Sequence, residues 1–213
     1  MLCRVFTAFV VFLVCTVFMP GCAVERGVRP ENLFYSSAQP NIQIRVEPKL
    51  NFKGKMECSG TKTAPDVSAF IHYTIYPFVE ATSSDLIQRM FLISFLEIRG
   101  MGPKFIDVYK NRIEINDKYY NFYAGAAGSD SLFEKEIRER LQREGLVFAN
   151  WYVGGVWYRY TNEKLRLRLH YVESLTDSAD NYRWSTPEKW TSSQKSLLKE
   201  VLERGRQAFQ ILN

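Results

Sequence analysis

From Ile42 onward, apolar stretches of strand length alternate with turn signals about every ten residues, and that rhythm points to an antiparallel sheet. Ile42, Ile44 and Val46 alternate with Gln43, Arg45 and Glu47, the pattern of a half-buried strand that Pro48 closes or bulges. Residues 69–78 are dense in Phe, Ile, Tyr and Thr and predict a strand buried on both faces. Residues 90–98 read either as a helix capped by Ser83-Ser84-Asp85, with Leu86, Ile87, Met90 and Phe91 on one face, or as a strand; the bulky β-prone side chains favour the strand, the hairpin partner of 69–80 with Ser83-Ser84-Asp85 as the turn. Short strands are expected over 105–109, 113–115 and 119–123, the last two joined by an Asx-type turn at Asn116-Asp117.

The period then changes. Leu132, Phe133, Ile137 and Leu141 form a stripe at helical spacing, Ser131 and Glu134 have capping-box spacing, and Gly145 suits the stop, so 131–144 predicts an amphipathic helix. Its pairs Glu134/Arg138, Glu136/Arg140 and Glu139/Arg143 sit in the favourable order for ion pairing. Segments 146–153, 156–161 and 165–172 read as a three-stranded meander, or as fewer strands with a bulge at Gly154-Gly155. A polar loop over 176–190 leads to a last helix with capping-box spacing at Thr191 and Gln194; Leu197, Leu198, Val201, Leu202, Phe209 and Ile211 line one side, so the chain is expected to end helical. One α+β domain over 42–213 follows: a mainly antiparallel sheet of about seven or eight strands with two amphipathic helices on one face.

The N-terminus is different in kind. Arg4 precedes an apolar core over 5–18, and Pro20 and Gly21 then lead to Cys22, the layout of an export signal over 1–21. The core holds about 14 residues, whereas a helix crossing the hydrocarbon takes roughly 20. Met19-Pro20-Gly21-Cys22 resembles the lipobox of bacterial lipoproteins through its small residue directly before a cysteine; Met19 and Pro20 stand where leucine and a small residue are usual. The resemblance implies that Cys22 receives a diacylglycerol thioether, becomes the first residue of the mature chain and anchors it to a bilayer. Ala23 in place of a retention aspartate implies the outer membrane, facing the periplasm. Two other readings stand beside it: an ordinary cut after Ala23, or an uncut anchor.

Residues 22–41 then read as the lipidated cysteine and a flexible tether, reaching ~25 Å as a coil. Cys3 and Cys15 leave with the signal and Cys22 is alkylated, so Cys58 is the thiol that remains and no internal disulfide is expected. A mature chain of about 192 residues has enough core to fold without one. Cys58 itself reads as a small apolar strand residue.

For chemistry the chain offers little. Two histidines among 213 residues limit acid–base and metal options, and no Cys-x-x-Cys or His-x-His cluster exists, so no cofactor, metal or catalytic residue is assigned. A Cys58/His72 dyad is weighed against ordinary packing. Gly125 to Ser129 lies where phosphate loops occur, yet lacks a lysine and carries Asp130, so a flexible connection into a helix cap is the simpler reading. Arg166, Arg168 and His170 alternate with Leu165, Leu167 and Leu169. With Trp157, Tyr158 and Tyr160 they form either a basic–aromatic surface for an acidic polymer or glycan, or the polar face of a half-buried strand. Trp184 and Trp190 read as sugar-stacking residues or as plugs of a core end. Asp66, Asp107, Glu114 and Glu173 are the carboxylates available to a hydrolase. Formal net charge is +5, with basic residues scattered among acids, so nucleic acid is not an expected partner. The expectation is a non-enzymatic envelope lipoprotein contacting a bilayer and an envelope protein or glycan, with a periplasmic hydrolase on an envelope polymer as the alternative.

Overall fold

In a computed structural model, residues 25–64, 67–100, 104–105, 111–132, 135–175 and 187–212 are described. Cys22, Asp66, Asp107 and Trp184 lie outside them, as does most of the strand expected over 105–109 and most of the loop over 176–190. Twelve strands make two antiparallel sheets. The small sheet has the order β1 (Arg26–Arg29), β2 (Leu33–Ser36), β3 (Ile42–Val46), β12 (Phe209–Ile211). The large, eight-stranded sheet runs β4 (Asn51–Phe52), β6 (Val67–Ala81), β7 (Ile87–Arg99), β11 (Leu165–Ser174), β10 (Trp151–Asn162), β9 (Lys118–Gly128), β8 (Arg112–Ile115), and β5 (Met56–Ala64) pairs β6 beside β4. The α+β class and the strand count agree with the sequence reading.

Local expectations hold where the pattern is strong. β3 alternates buried and exposed, and β6 is buried on both faces over 73–79. β7 pairs with β6 across the turn at 83–85, where Asp85 takes φ 62°. Asn116 and Asp117 both adopt positive φ, 48° and 55°, the requirement of a tight hairpin between β8 and β9.

The large sheet has two apolar faces, so each must be covered. On one, Tyr76, Phe91, Ile93, Phe95, Trp157, Leu167 and Tyr171 pack against the small sheet and against Val201 of the last helix, α2 (Ser192–Gln207). On the other, Ile75, Met90, Leu92, Tyr152 and Val172 pack against Ile137 and Leu141 of α1 (Lys135–Arg143). The two helices therefore sit on opposite faces, not on a common one, because β7 and β11 are apolar at odd and even positions alike.

Several other expectations are corrected. The supposed tether is partly sheet: β1 and β2 form a hairpin within it, because Phe34 is fully buried against Tyr76 and Phe95, with ring centroids 4.8 Å and 5.8 Å apart. A helical turn at Ser129–Leu132 precedes the expected start, Glu134 of the expected Glu134/Arg138 pair lies outside the described residues, and among those described the ion pairs are Lys135–Glu139, Arg140–Glu144 and Arg138–Asp130. Gly145 at φ +87° follows it, as expected.

The meander does not form either. β10 is one strand with unbroken register through Gly154-Gly155, and residues 146–150 stay outside it. The glycines are there for approach: a Cβ on Gly154 would lie 2.0 Å from the Tyr171 carbonyl oxygen, and one on Gly155 would lie 2.6 Å from Leu202 Cδ2 of α2. At its other end α2 carries the expected capping box, with Gln194 N donating to Thr191 Oγ1 at 3.2 Å and Thr191 N to Gln194 Oε1 at 2.8 Å. The chain does not continue helical beyond Gln207. Phe209, Gln210 and Ile211 alternate buried, exposed, buried, and pair with Val46, Arg45 and Ile44 as a strand.

Candidate functional site

On the α1 face of the large sheet, the end that α1 leaves uncovered gathers the arginines of β11 with the tyrosines of β10 and β9. Strand register builds it: Arg168 stands opposite Tyr158, Tyr158 opposite Asn121, and Asn121 opposite Arg112, one row across four strands. The next row pairs Arg166 with Tyr160. The rings lie close together, Tyr158 at 5.7 Å from Tyr160 and 6.0 Å from Tyr123, and Phe105 at 5.4 Å from Tyr160. The Arg166 guanidinium lies 5.1 Å over Phe105 and 5.5 Å over Tyr158, cation–π contacts worth about 0.5–1 kcal/mol each at an exposed site.

Arg166 and Arg168 are half-buried, the Nε of each is buried without a hydrogen-bond partner, and neither has a carboxylate within ion-pair distance among the described residues. Arg168 Nη2 donates to Nδ1 of His170 at 3.3 Å. His170 is 2 % exposed, and burial, reinforced by the Arg168 charge, holds its imidazole well below the ordinary histidine range, neutral, with Nδ1 as acceptor.

Of the residues grouped with this surface on sequence grounds, Arg166, Arg168, Tyr158 and Tyr160 do share it. His170 shares the face but is sealed beneath it. Trp157 does not belong: it points to the opposite face, fully buried, 5.5 Å from Phe122 and 5.6 Å from Phe209. Tyr123, 52 % exposed, and Arg112 join the surface instead, placed by a register that no local pattern encodes.

A second polar feature is an open cleft of about 400 Å³ lined by Glu47, Lys49, Glu80, Gln88, Arg89, Glu173, Ser174 and Arg204. Arg89 donates to Glu47 at 2.9 Å and 3.2 Å and also to Glu80; Arg204 grips Glu173 through two bonds of 2.8 Å and 2.9 Å, and Tyr171 Oη donates to Glu173 at 2.6 Å. Burial alone would pull the Arg89 guanidinium down, but its bonds to Glu47 and Glu80 outweigh that and hold it above the ordinary value. Three carboxylates thus converge here. Each has its lone pairs engaged by a guanidinium, which ties α2 and the end of β3 to the large sheet and leaves no acid poised to give a proton to a leaving group.

The other sequence candidates separate. Cys58 stands opposite Tyr73 and packs on the α1 face, whereas His72 projects to the other side, so they form no dyad. The partner of His72 is Ser59, whose Oγ lies 2.9 Å from Nδ1, and Glu97 stands across from His72 on β7. That row sits on open sheet, where Glu97 accepts from Arg99 Nε at 3.4 Å. Gly125 to Gly128 belong to β9, paired with residues 151–154, so no phosphate loop forms there. Trp190, 7 % exposed, plugs the core, and Glu114 is exposed on β8. Among the described residues there is no cluster of metal-ligating side chains and no helix long and apolar enough to cross a membrane.

Comparison of the chain with protein-family models, with curated proteins and with solved structures finds no match.

Proposed function

We propose that the chain is a membrane-anchored lipoprotein of the bacterial cell envelope, acylated on Cys22, whose folded domain works by binding and not by catalysis. The observation that carries this reading is Gly21-Cys22 directly after a short apolar core. The position of β1 supports it: Arg26 is already in a strand, so three residues separate the acylated cysteine from the sheet, a reach of at most ~14 Å over four Cα steps. Acyl chains contribute ~0.8 kcal/mol per buried methylene, and two or more make anchoring effectively permanent. With Ala23 after the cysteine, the outer membrane facing the periplasm is the destination, and an envelope protein or glycan is the partner.

The binding half of the reading rests on the arginine–tyrosine surface, set against a cleft whose carboxylates are all engaged. Intact mass spectrometry of the native protein tests the anchor. The expected N-terminus is a triacylated or diacylated Cys22, and Cys22→Ala moves the protein from the membrane fraction to the soluble one. An unmodified chain beginning at Val24 overturns it.

A further inference from the structure

We propose that the surface centred on Arg166, Arg168, Tyr158 and Tyr160 is a binding site for an acidic glycan, a sugar polymer bearing carboxylate or phosphate groups. This deepens the binding reading above and is independent of whether Cys22 is acylated. It starts from an imbalance of charge. Elsewhere the fold gives most of its half-buried arginines a polar partner: Arg89 with Glu47 and Glu80, Arg204 with Glu173, Arg138 with Asp130, and Arg26 with Ser36 and the Gln39 carbonyl; Arg159, on the opposite face, stands alone over the Tyr120 ring. Arg166 and Arg168 stand two residues apart on the same face of β11 with no carboxylate partner among the described residues, their polar contacts limited to the Arg168–His170 bond, and each has an orphaned Nε. The acid nearest in the fold among the described strand positions of this surface is Glu114, at the far edge on β8.

Leaving a partly desolvated cation without a counter-charge is costly, and the geometry gives the cost a purpose. The terminal nitrogens other than Arg168 Nη2, which His170 holds, are not among the buried unpartnered atoms and have no partner among the described residues. Two guanidinium forks side by side match the planar, bidentate geometry of carboxylate or phosphate oxygens. The ligand class follows from what flanks them. Tyr158, Tyr160 and Tyr123 cluster beside the charges with their planes inclined, Tyr158 at 84° to Tyr160 and 60° to Tyr123, so single ring faces are offered to the apolar face of a sugar ring while Tyr hydroxyls bond to its edge. A bilayer surface is a poorer match: the cations are recessed arginines on a sheet face, not protruding lysines, and a flat array of headgroups does not reach into the strand rows.

The test uses the full-length protein in detergent, titrated calorimetrically with polygalacturonate, with phosphomannan, with neutral dextran and with phosphatidylglycerol vesicles. Polygalacturonate or phosphomannan is expected to bind, more weakly as salt rises, and dextran is not. Arg166→Gln and Arg168→Gln are each expected to weaken binding by about tenfold to a hundredfold, the scale of a lost charge-assisted hydrogen bond. Because the arginines lack a carboxylate partner and the substitutions remove only the ring contacts of Arg166 or the single Arg168–His170 bond, these variants should stay folded and melt within a few degrees of the parent. Binding unchanged in the double variant, binding of neither acidic polymer, equal binding of dextran, or vesicle binding in place of glycan binding overturns the assignment. So does a lowered melting temperature with binding intact, which would make the arginines structural. None of these results bears on Cys22, and an unmodified N-terminus leaves this site standing.

Discussion

His170 gives the chain a stability that depends on pH in a calculable way. The imidazole sits between Leu92 on β7 and Val156 on β10, with Arg168 as the charged neighbour on its own strand, and it is held neutral. Its folded value lies well below the unfolded 6.5, so below that pH the unfolded chain binds a proton that the folded chain refuses. The sign is therefore fixed: this contribution is constant above about pH 6.5 and is lost as pH falls, by about 1.4 kcal/mol per unit, until the folded imidazole itself titrates. Between pH 7 and pH 5 the loss is at most about 2 kcal/mol, the limit set by the unfolded imidazole. His170→Gln removes this titration while His72, the other of two histidines, stays in both proteins. Urea unfolding of parent and variant at pH 7, 6 and 5 should show the stability of the parent relative to the variant dropping as pH falls, by up to about 2 kcal/mol across the series. A difference independent of pH refutes the claim that His170 is buried neutral.

Two further changes probe the packing that holds the arginine surface in place. Gly205→Ala on α2 puts a Cβ 2.8 Å from Tyr171 Cδ1 and 3.1 Å from Trp157 Cη2. Helix propensity alone would gain about 1 kcal/mol, but the clash is expected to reverse the sign and cost about 1–3 kcal/mol in urea unfolding. Phe209→Ala should cost about 3–5 kcal/mol, since the ring stacks on Phe91 at 4.9 Å and meets Trp157 edge-on. Gln210→Ala, one residue along and exposed, should stay within about 0.5 kcal/mol; similar losses at both positions would contradict the strand.

Elements whose stability is written locally were legible: the alternation of β3, the apolar β6–β7 hairpin with its turn, the Asn116-Asp117 hairpin and the capping box of α2. What escaped was decided by contacts far along the chain. β1 and β2 are only four residues each, and they become strands because Phe34 is buried under β6 and β7. Gly125 to Gly128 look like a loop until β10 supplies their hydrogen bonds. β12 continues a helical stripe in sequence, yet its alternation matches the open edge of β3. The arginine surface was half legible. The alternation of Arg166 and Arg168 marks their common face, but their isolation from the carboxylates among the described residues, the tyrosine rows beside them and the opposite side taken by Trp157 depend on the pairing of β8 to β11. Ser59 went unnoticed beside His72 for the same reason.

The closing of the small sheet sets a clock on synthesis. β3 accepts β2 on one edge as soon as it is made, but its other edge waits for β12, roughly 160 residues downstream, and pairing so far along the chain is slow to form. At ribosomal rates of about 5–20 residues per second that edge stays open for about ten to thirty seconds. During that interval Ile42, Ile44 and Val46 present an apolar, hydrogen-bond-hungry template to any neighbouring chain. The nascent protein is thus at its most aggregation-prone, and most dependent on a holding chaperone, late in its synthesis, when nearly all of its sequence already exists.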